Sequence, residues 1–212
     1  MTDVIIVGGG AAGLLAAKML SAKGKKVLLL EAKDILGGRI HTNENTFSSP
    51  AEGGAEFIHG NLFLTKKLLK QAGLAITKVR GNMYNFKKGN FFTEENGVDG
   101  WDVLIKRLKK LKEDITVKQF LDKYLPGEEY NEIKGAFKNY VQGYDAADSN
   151  LASAIRIREE MKAKDDSKFR VDKSYGDLIN FLATEIKSHG GEIRTGETVN
   201  TLNWQHNHVT VT

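Results

Sequence analysis

Three glycines near the amino terminus, Gly8, Gly10 and Gly13, have the spacing G-x-G-x-x-G directly after the apolar run Val4-Ile5-Ile6-Val7. Each glycine has a physical task at that spacing. Gly8 permits a tight turn, Gly10 lets the backbone approach a pyrophosphate, and Gly13 allows a helix to pack closely on the strand. The helix that opens there offers unpaired N–H groups and a partial positive charge to an anion. Glu31 closes the next apolar run, where a carboxylate is placed to accept hydrogen bonds from an adenosine ribose. Together these residues point to nucleotide binding. The alternative is a bare turn with Glu31 as a solvated strand end.

Other chemistry-bearing residues lead elsewhere. The chain has no cysteine, which excludes disulfides, thiolate zinc sites and cysteine nucleophiles. His206-Asn207-His208 lies between two strand-like runs and reads as a turn, so no metal site is expected. Lys106, Arg107, Lys109, Lys110 and Lys112 lack interleaved aromatics or a recognition motif; they read as a solvated helix face, and no nucleic-acid partner is expected. Glu94-Glu95 and Glu159-Glu160 are adjacent pairs suited to exposed surface rather than acid–base work.

The elements that position the glycine motif follow from the apolar pattern. Val4 to Val7 reads as a strand buried on both faces. Ala11 to Lys23 reads as a helix whose face is Ala12, Leu15, Ala16, Met19 and Leu20, with Lys18, Ser21 and Lys23 pointing away. Gly24 ends that helix in a left-handed cap, and Val27 to Leu30 forms a second buried strand, parallel to the first. Asp34 to Pro50 is loop-like, and Leu62 to Ala72 is a short amphipathic helix stopped by Gly73. Met83 to Phe92 reads as a hairpin turning at Lys88-Gly89-Asn90. Helices are predicted around Leu104 to Leu111, Val117 to Tyr124, Glu128 to Gln142 and Asn150 to Lys162, with a mobile loop at Lys162 to Lys168. A helix through Leu178, Leu182 and Ile186 stops at Gly190-Gly191. Strands at 192–194, 199–204 and 208–211 follow.

With 212 residues, 41% of them hydrophobic and 27% charged, the chain has the composition of one or two soluble globular domains. Its net charge of +4 suits an anionic cofactor as well as nucleic acid. Asp3 before the first apolar run, the glycines inside it and Lys18 behind it argue against a signal peptide or membrane span. A soluble, cytoplasmic protein without a membrane partner is expected.

The segment VIIVGGGAAGLLAAKMLSAKGKKVLLLEAKDILGGRIHT resembles the opening of the flavin-containing amine oxidase family, which includes monoamine and polyamine oxidases. The Gly37-Gly38-Arg39 extension after Glu31 carries the narrower part of the likeness. The resemblance implies FAD as cofactor, an arginine on its pyrophosphate at Arg39, and further cofactor contacts at Ala11, Ala12, Ala32 and Gly38. A guanidinium suits that role, since it pairs bidentately with phosphate oxygens. The alternative for Arg39 is a surface ion pair.

The block Glu52-Gly53-Gly54-Ala55-Glu56-Phe57-Ile58-His59-Gly60 is similar to the family segment that runs past the isoalloxazine ring. By the resemblance, Gly54, Ala55, Glu56 and Phe57 are near the ring or its ribityl chain, and His59 lies beside the substrate channel or is structural. Glu56 departs from the small or neutral residue common there; an acid at that place attracts a cationic amine or is simply solvated. Val199 matches a position whose backbone meets the adenine.

The implied fold is α/β: a Rossmann-like FAD/NAD(P)-binding domain, with parallel sheet, βαβ unit and β-meander, carrying an inserted, mainly helical substrate domain. Its expected parts are 1–80 for the first portion of the FAD domain, 81–177 for the helical portion and 178–212 for an incomplete return. The implied reaction removes a hydride from the carbon beside an amine nitrogen onto flavin N5, with oxygen as final acceptor and a small-molecule amine as substrate. The family's lysine near N5 and its aromatic substrate wall match nothing here and are expected past Thr212. The chain therefore reads as an amino-terminal portion, truncated and with little turnover alone, completed by a carboxy-terminal half or a partner chain. Two other readings stay open: another FAD- or NAD-dependent oxidoreductase, and a non-catalytic module that uses the fold for protein contact.

Overall fold

A computed structural model describes residues 2–81, 84–87, 89–93, 98–163, 167–206 and 208–212. The chain divides into two compact units, one made of Met1–Val79 with Asp166–Thr212 and the other of Arg80–Asp165.

The first unit opens with β1 (Val4–Val7), α1 (Ala11–Ser21) and β2 (Val27–Leu30). β1 and β2 are parallel, with Val4 opposite Val27 and Val7 opposite Leu30. Short antiparallel strands β3 (Thr42–Asn43) and β4 (Ala51–Glu52) come next, then β5 (Phe57–His59), α2 (Phe63–Gln71) and β6 (Ile76–Lys78).

Two features of the opening differ from expectation. Among the described residues β1 pairs with β2 alone, in a sheet ordered β1-β2-β10, so it is an edge strand here and Val7 is 53% exposed rather than buried on both sides. α1 buries Leu14, Ala17 and Ser21, not the face through Ala12, Ala16 and Met19; Ser21 is 2% exposed and Met19 55%. The segment is apolar almost all round, so periodicity alone chose the wrong face. Gly13 decides it: the helix approaches β1 at that residue, and the packed face continues one and two turns on at Ala17 and Ser21. Gly24 follows with φ +76°, the left-handed stop expected of it.

The second unit starts with β7 (Tyr84–Lys87) and β8 (Asn90–Thr93), paired antiparallel with Phe86 against Phe91. The expected hairpin lies here; its Met83 and Lys88, and the pair Glu94-Glu95, fall outside the described residues. α3 (Trp101–Lys109), α4 (Val117–Tyr124), a single 3-10 turn (Glu128–Tyr130), α5 (Asn131–Tyr144) and α6 (Ala154–Ala163) follow. α4 begins with a capping box, in which the Thr116 hydroxyl accepts from the Gln119 N–H and the Gln119 side chain accepts from the Thr116 N–H. Leu104, Leu108, Phe120, Leu121, Ile133 and Phe137 fill this unit's core. Each side chain removed from water so fully contributes about 1.5–3 kcal/mol. Of the loop expected at 162–168, residues 162–163 close α6, 168 opens a strand, and 164–166 lie outside the described residues.

That strand, β9 (Lys168–Val171), belongs to the first unit, where it runs antiparallel between β5 and β6. The first unit therefore resumes at 166, ahead of the boundary at 178 expected from sequence. A four-residue strand with charges at alternate positions gave no sign of its distant partners. α7 (Tyr175–Ser188) then packs Leu178, Ile179, Leu182 and Ile186 into one core with Leu14 and Ala17 of α1 and Val27 and Leu29 of β2. β10 (Glu192–Arg194) adds to β2 in parallel. β11 (Leu202–Gln205) and β12 (His208–Val211) form a hairpin that contains His206 and His208; Asn207 lies outside the described residues. β11 begins at Leu202, so Val199 stands in the connection before it rather than in a strand. Among the described residues no helix is long and apolar enough to cross a membrane, and no three His, Cys, Asp or Glu side chains are grouped to hold a metal.

Candidate functional site

The turn out of β1 is pinned to the end of β2. The Gly8 N–H donates to the Leu30 carbonyl at 2.7 Å, with Gly8 at φ +102°, a conformation L side chains rarely adopt. A Cβ on Gly13 would stand 2.0 Å from the Gly8 carbonyl oxygen, so α1 lies against the turn at a distance only glycine allows. Gly10 precedes α1 with no side-chain cap, and the first turn holds no acidic residue. The N–H groups at Ala11 and Ala12 thus sit at a bare, positively polarised helix end, with both alanines exposed.

Glu31 is anchored rather than freely solvated. Its Oε2 accepts the Gly9 N–H at 2.6 Å and its Oε1 accepts the Lys33 N–H at 2.9 Å. These backbone donors, Lys33 first and Gly9 next, hold the carboxyl below the usual glutamate range. Each oxygen keeps a further lone pair for a ligand hydroxyl. Ala32, between Glu31 and Lys33, is exposed. The Glu31 backbone is bracketed as well, its N–H donating to Arg194 and its carbonyl accepting from Glu197.

The next glycine pair closes on the same turn. Gly37 donates to the Gly9 carbonyl at 2.8 Å and bridges Gly10 in parallel. Gly37 and Gly38 have φ +117° and +62°, and a Cβ on Gly37 would meet the Ile40 carbonyl at 2.3 Å. Arg39 is exposed and forms no ion pair among the described residues, contrary to the surface-pair alternative. Its carbonyl accepts the Ala55 N–H at 3.0 Å, and a Cβ on Gly54 would stand 2.1 Å from that same oxygen. The second glycine block is thereby stacked on the first.

Beyond Ala55 the side chains have partners of their own. Glu56 pairs with Arg170 of β9 at 3.0 Å, so the structure gives this acid a cation of its own. Phe57 is 38% exposed, and its ring meets His59 edge-on at 6.1 Å. His59 ends β5 opposite Lys168. Gly8, Gly10, Gly13, Glu31, Gly38, Arg39, Gly54 and Ala55 come together through these contacts; Val199 lies two residues beyond Glu197 in the connection that flanks Glu31.

Sequence reasoning missed three contributors. Gly9 is buried and positions Glu31; a Cβ there would come 2.5 Å from a Leu36 methyl. Its place inside the motif was the available signal. Gly196, at φ +72°, donates to the Lys33 carbonyl. Glu52 caps α7, accepting the Tyr175 N–H at 2.8 Å and the Thr42 hydroxyl at 2.8 Å. Burial, then the Glu52 charge, pushes the Tyr175 phenol up, so it stays neutral.

Chemically, bare N–H groups and an anchored carboxylate on one glycine-lined turn, with Arg39 next in the chain, exposed and without an ion pair among the described residues, suit a diphosphate with an adjoining ribose. The family described as flavin containing amine oxidoreductase matches residues 11–212. Polyamine oxidase 5 of Oryza sativa subsp. japonica is 41% identical over 82 residues, 38% of this chain and 16% of that protein. Amine oxidase [flavin-containing] A of Sus scrofa is 36% identical over 94 residues, 43% of this chain and 18% of that protein. The fold is that of cyclohexylamine oxidase from Brevibacterium oxydans, at a TM-score of 0.78 and 21% identity, covering 100% of this chain and 54% of that one. Putrescine oxidase bound to putrescine gives a TM-score of 0.74 at 18% identity, covering 99% and 54%. The chain thus spans about half the length of these solved structures and aligns with less than a fifth of the two curated relatives. With a match over nearly its whole length, the chain belongs to the flavin-containing amine oxidoreductase family, whose cofactor is FAD.

Proposed function

We propose that the glycine turn, Glu31 and the Gly37-Gly38-Arg39 turn form the ADP side of an FAD site in a protein that oxidises small-molecule amines. The observation that carries this reading is the convergence of both glycine blocks on one backbone surface where space is left for a ligand. A Cβ on Gly10 would meet nothing closer than the Gly37 carbonyl at 3.9 Å, so its open face is not filled by the protein. The residues present fit the cofactor. The N–H groups from Gly10 to Ala12 and the Arg39 guanidinium would hold the pyrophosphate, and Glu31 with Ala32 beside it would hold the ribose. The backbone at Val199 would meet the adenine. Gly38 keeps the Arg39 turn tight, while Gly54, Ala55, Glu56 and Phe57 would line the approach to the ring, with His59 beside the substrate path.

When bound, FAD supplies the acceptor for the hydride that leaves the carbon next to the amine nitrogen, and oxygen takes the electrons onward. The chain's own residues bind, orient and exclude water, and no side-chain nucleophile is required. The substrate class is supported by the relatives, named for polyamines and amines, and by solved neighbours named for cyclohexylamine and putrescine. Because the residues assigned here bind cofactor and none is placed at the reacting carbon, the 212-residue chain is expected to hold flavin with little or no turnover alone.

The test is to incubate the purified chain with FAD, remove the excess, and record the visible spectrum beside an intact mass. Flavin bands near one equivalent support the reading. A colourless protein of correct mass that also fails to respond to saturating FAD contradicts it.

A further inference from the structure

The helical unit contains a groove that the flavin chemistry does not use. It lies between α3 and α6, and its volume is about 270 Å³. Trp101, Ile105 and Leu108 recur along one stripe of α3 and face Met161 of α6 across an apolar floor. Trp101 is held from behind, meeting Phe137 edge-on at 5.9 Å and Tyr140 at 6.2 Å, so the floor is rigid on that side.

The rim has the opposite character. Lys109, Arg158 and Lys162 all border the opening. Arg158 is tied down, donating to the Leu111 carbonyl at 2.7 Å and to Glu159 at 2.8 Å. Lys162 reaches the same carboxylate at 3.2 Å. Among the described residues, three cations against that one carboxylate leave a net charge of +2 at the mouth. Lys109 forms no ion pair among the described residues.

We propose that this groove binds a small amphipathic carboxylate, its apolar body on Trp101, Ile105, Leu108 and Met161 and its anionic end at Lys109 and Lys162. A groove of about 270 Å³ lies just below the roughly 300–1,000 Å³ of drug-sized ligand sites, which suits a ligand as small as an eight-carbon acid whose carboxylate projects to the rim. The same charge disfavours an amine, so the groove is not a second place for the proposed substrate. The inference rests on the helical unit alone and is independent of the flavin site.

The chain's two tryptophans make the test direct. Trp204 is 76% exposed on the β11–β12 hairpin, so Trp204→Phe leaves Trp101 as the single reporter. Without flavin, this variant is titrated with sodium octanoate and, in parallel, with octylamine. The expected result is a saturable change in Trp101 emission with octanoate, half-complete on the order of 1 mM, as suits so small a ligand. Octylamine should act at least tenfold more weakly. Adding Lys109→Gln and Lys162→Gln, both exposed positions, should weaken octanoate about fivefold, as expected for rim charges, with the circular dichroism spectrum unchanged. No saturable change, an equal response to octylamine, or unaltered affinity in the folded double-lysine variant would each overturn the proposal.

Discussion

Consider a methyl group added at Gly13 and, separately, at Gly10. At Gly13 the new Cβ would stand 2.0 Å from the Gly8 carbonyl oxygen, where ordinary contact begins at 3.4 Å. The oxygen cannot yield easily, because Gly8 is held at φ +102° and its N–H is bonded to Leu30 at 2.7 Å. α1 must therefore move off the strand and carry Leu14 and Ala17 out of the core. Overpacking of this kind costs about 1–3 kcal/mol, partly offset by the higher helix propensity of alanine, near 1 kcal/mol. A net loss of about 1–2 kcal/mol lowers the melting temperature of a chain this size by roughly 2–8 °C. At Gly10 the nearest atom to the new Cβ is 3.9 Å away and φ is −76°, so Gly10→Ala should melt within about 0.5 kcal/mol of the parent. The methyl would, however, occupy the face left open for the pyrophosphate. Thermal melts followed by far-UV circular dichroism, with and without FAD, separate the two effects. Gly13→Ala should melt low without ligand. Gly10→Ala should melt normally and lose most of the FAD-dependent rise seen in the parent. A Gly13→Ala chain as stable as the parent, or a Gly10→Ala chain with the full FAD response, would refute the reasoning.

Other perturbations have equally definite outcomes. Arg39→Gln should leave the melting temperature within about 0.5 kcal/mol of the parent, since no intramolecular pair is lost among the described residues, yet weaken FAD at least tenfold by fluorescence titration. Glu31 has its carboxyl held low in the fold, so its contribution to stability is full above the ordinary glutamate value and fades as pH falls through the lowered one. Denaturant melts of parent and Glu31→Gln should accordingly differ at neutral pH and converge in acid; a constant gap would count against the anchoring role. Glu52→Ala removes the acceptor for the Tyr175 N–H and should cost about 1–2 kcal/mol in thermal stability, as does loss of a helix cap.

What could be read beforehand follows from how local each constraint is. Gly8 and Gly13 announce a turn because only glycine tolerates the backbone angle at the first and the close approach at the second, and both facts are settled within a dozen residues. Glu31 was legible for the same reason, although its anchoring to Gly9 and Lys33 was not. The α1 face was misjudged because alanine and leucine surround the whole helix, leaving tertiary packing at Gly13 to choose. Contacts between distant segments gave no signal at all. Glu52 caps a helix start 123 residues away, and Glu56 meets Arg170 only because β9 slots between β5 and β6. β9 itself is short and charged at alternate positions, so only its pairing reveals where the first unit resumes.

On this reading the chain recognises FAD through its ADP portion. Calorimetric titration of the 212-residue chain with FAD, ADP and FMN in parallel tests it most directly. The expected result is one site for FAD, competition by ADP for that site, and FMN at least tenfold weaker. Equal binding of FMN and FAD, or FAD binding that ADP does not displace, would contradict it.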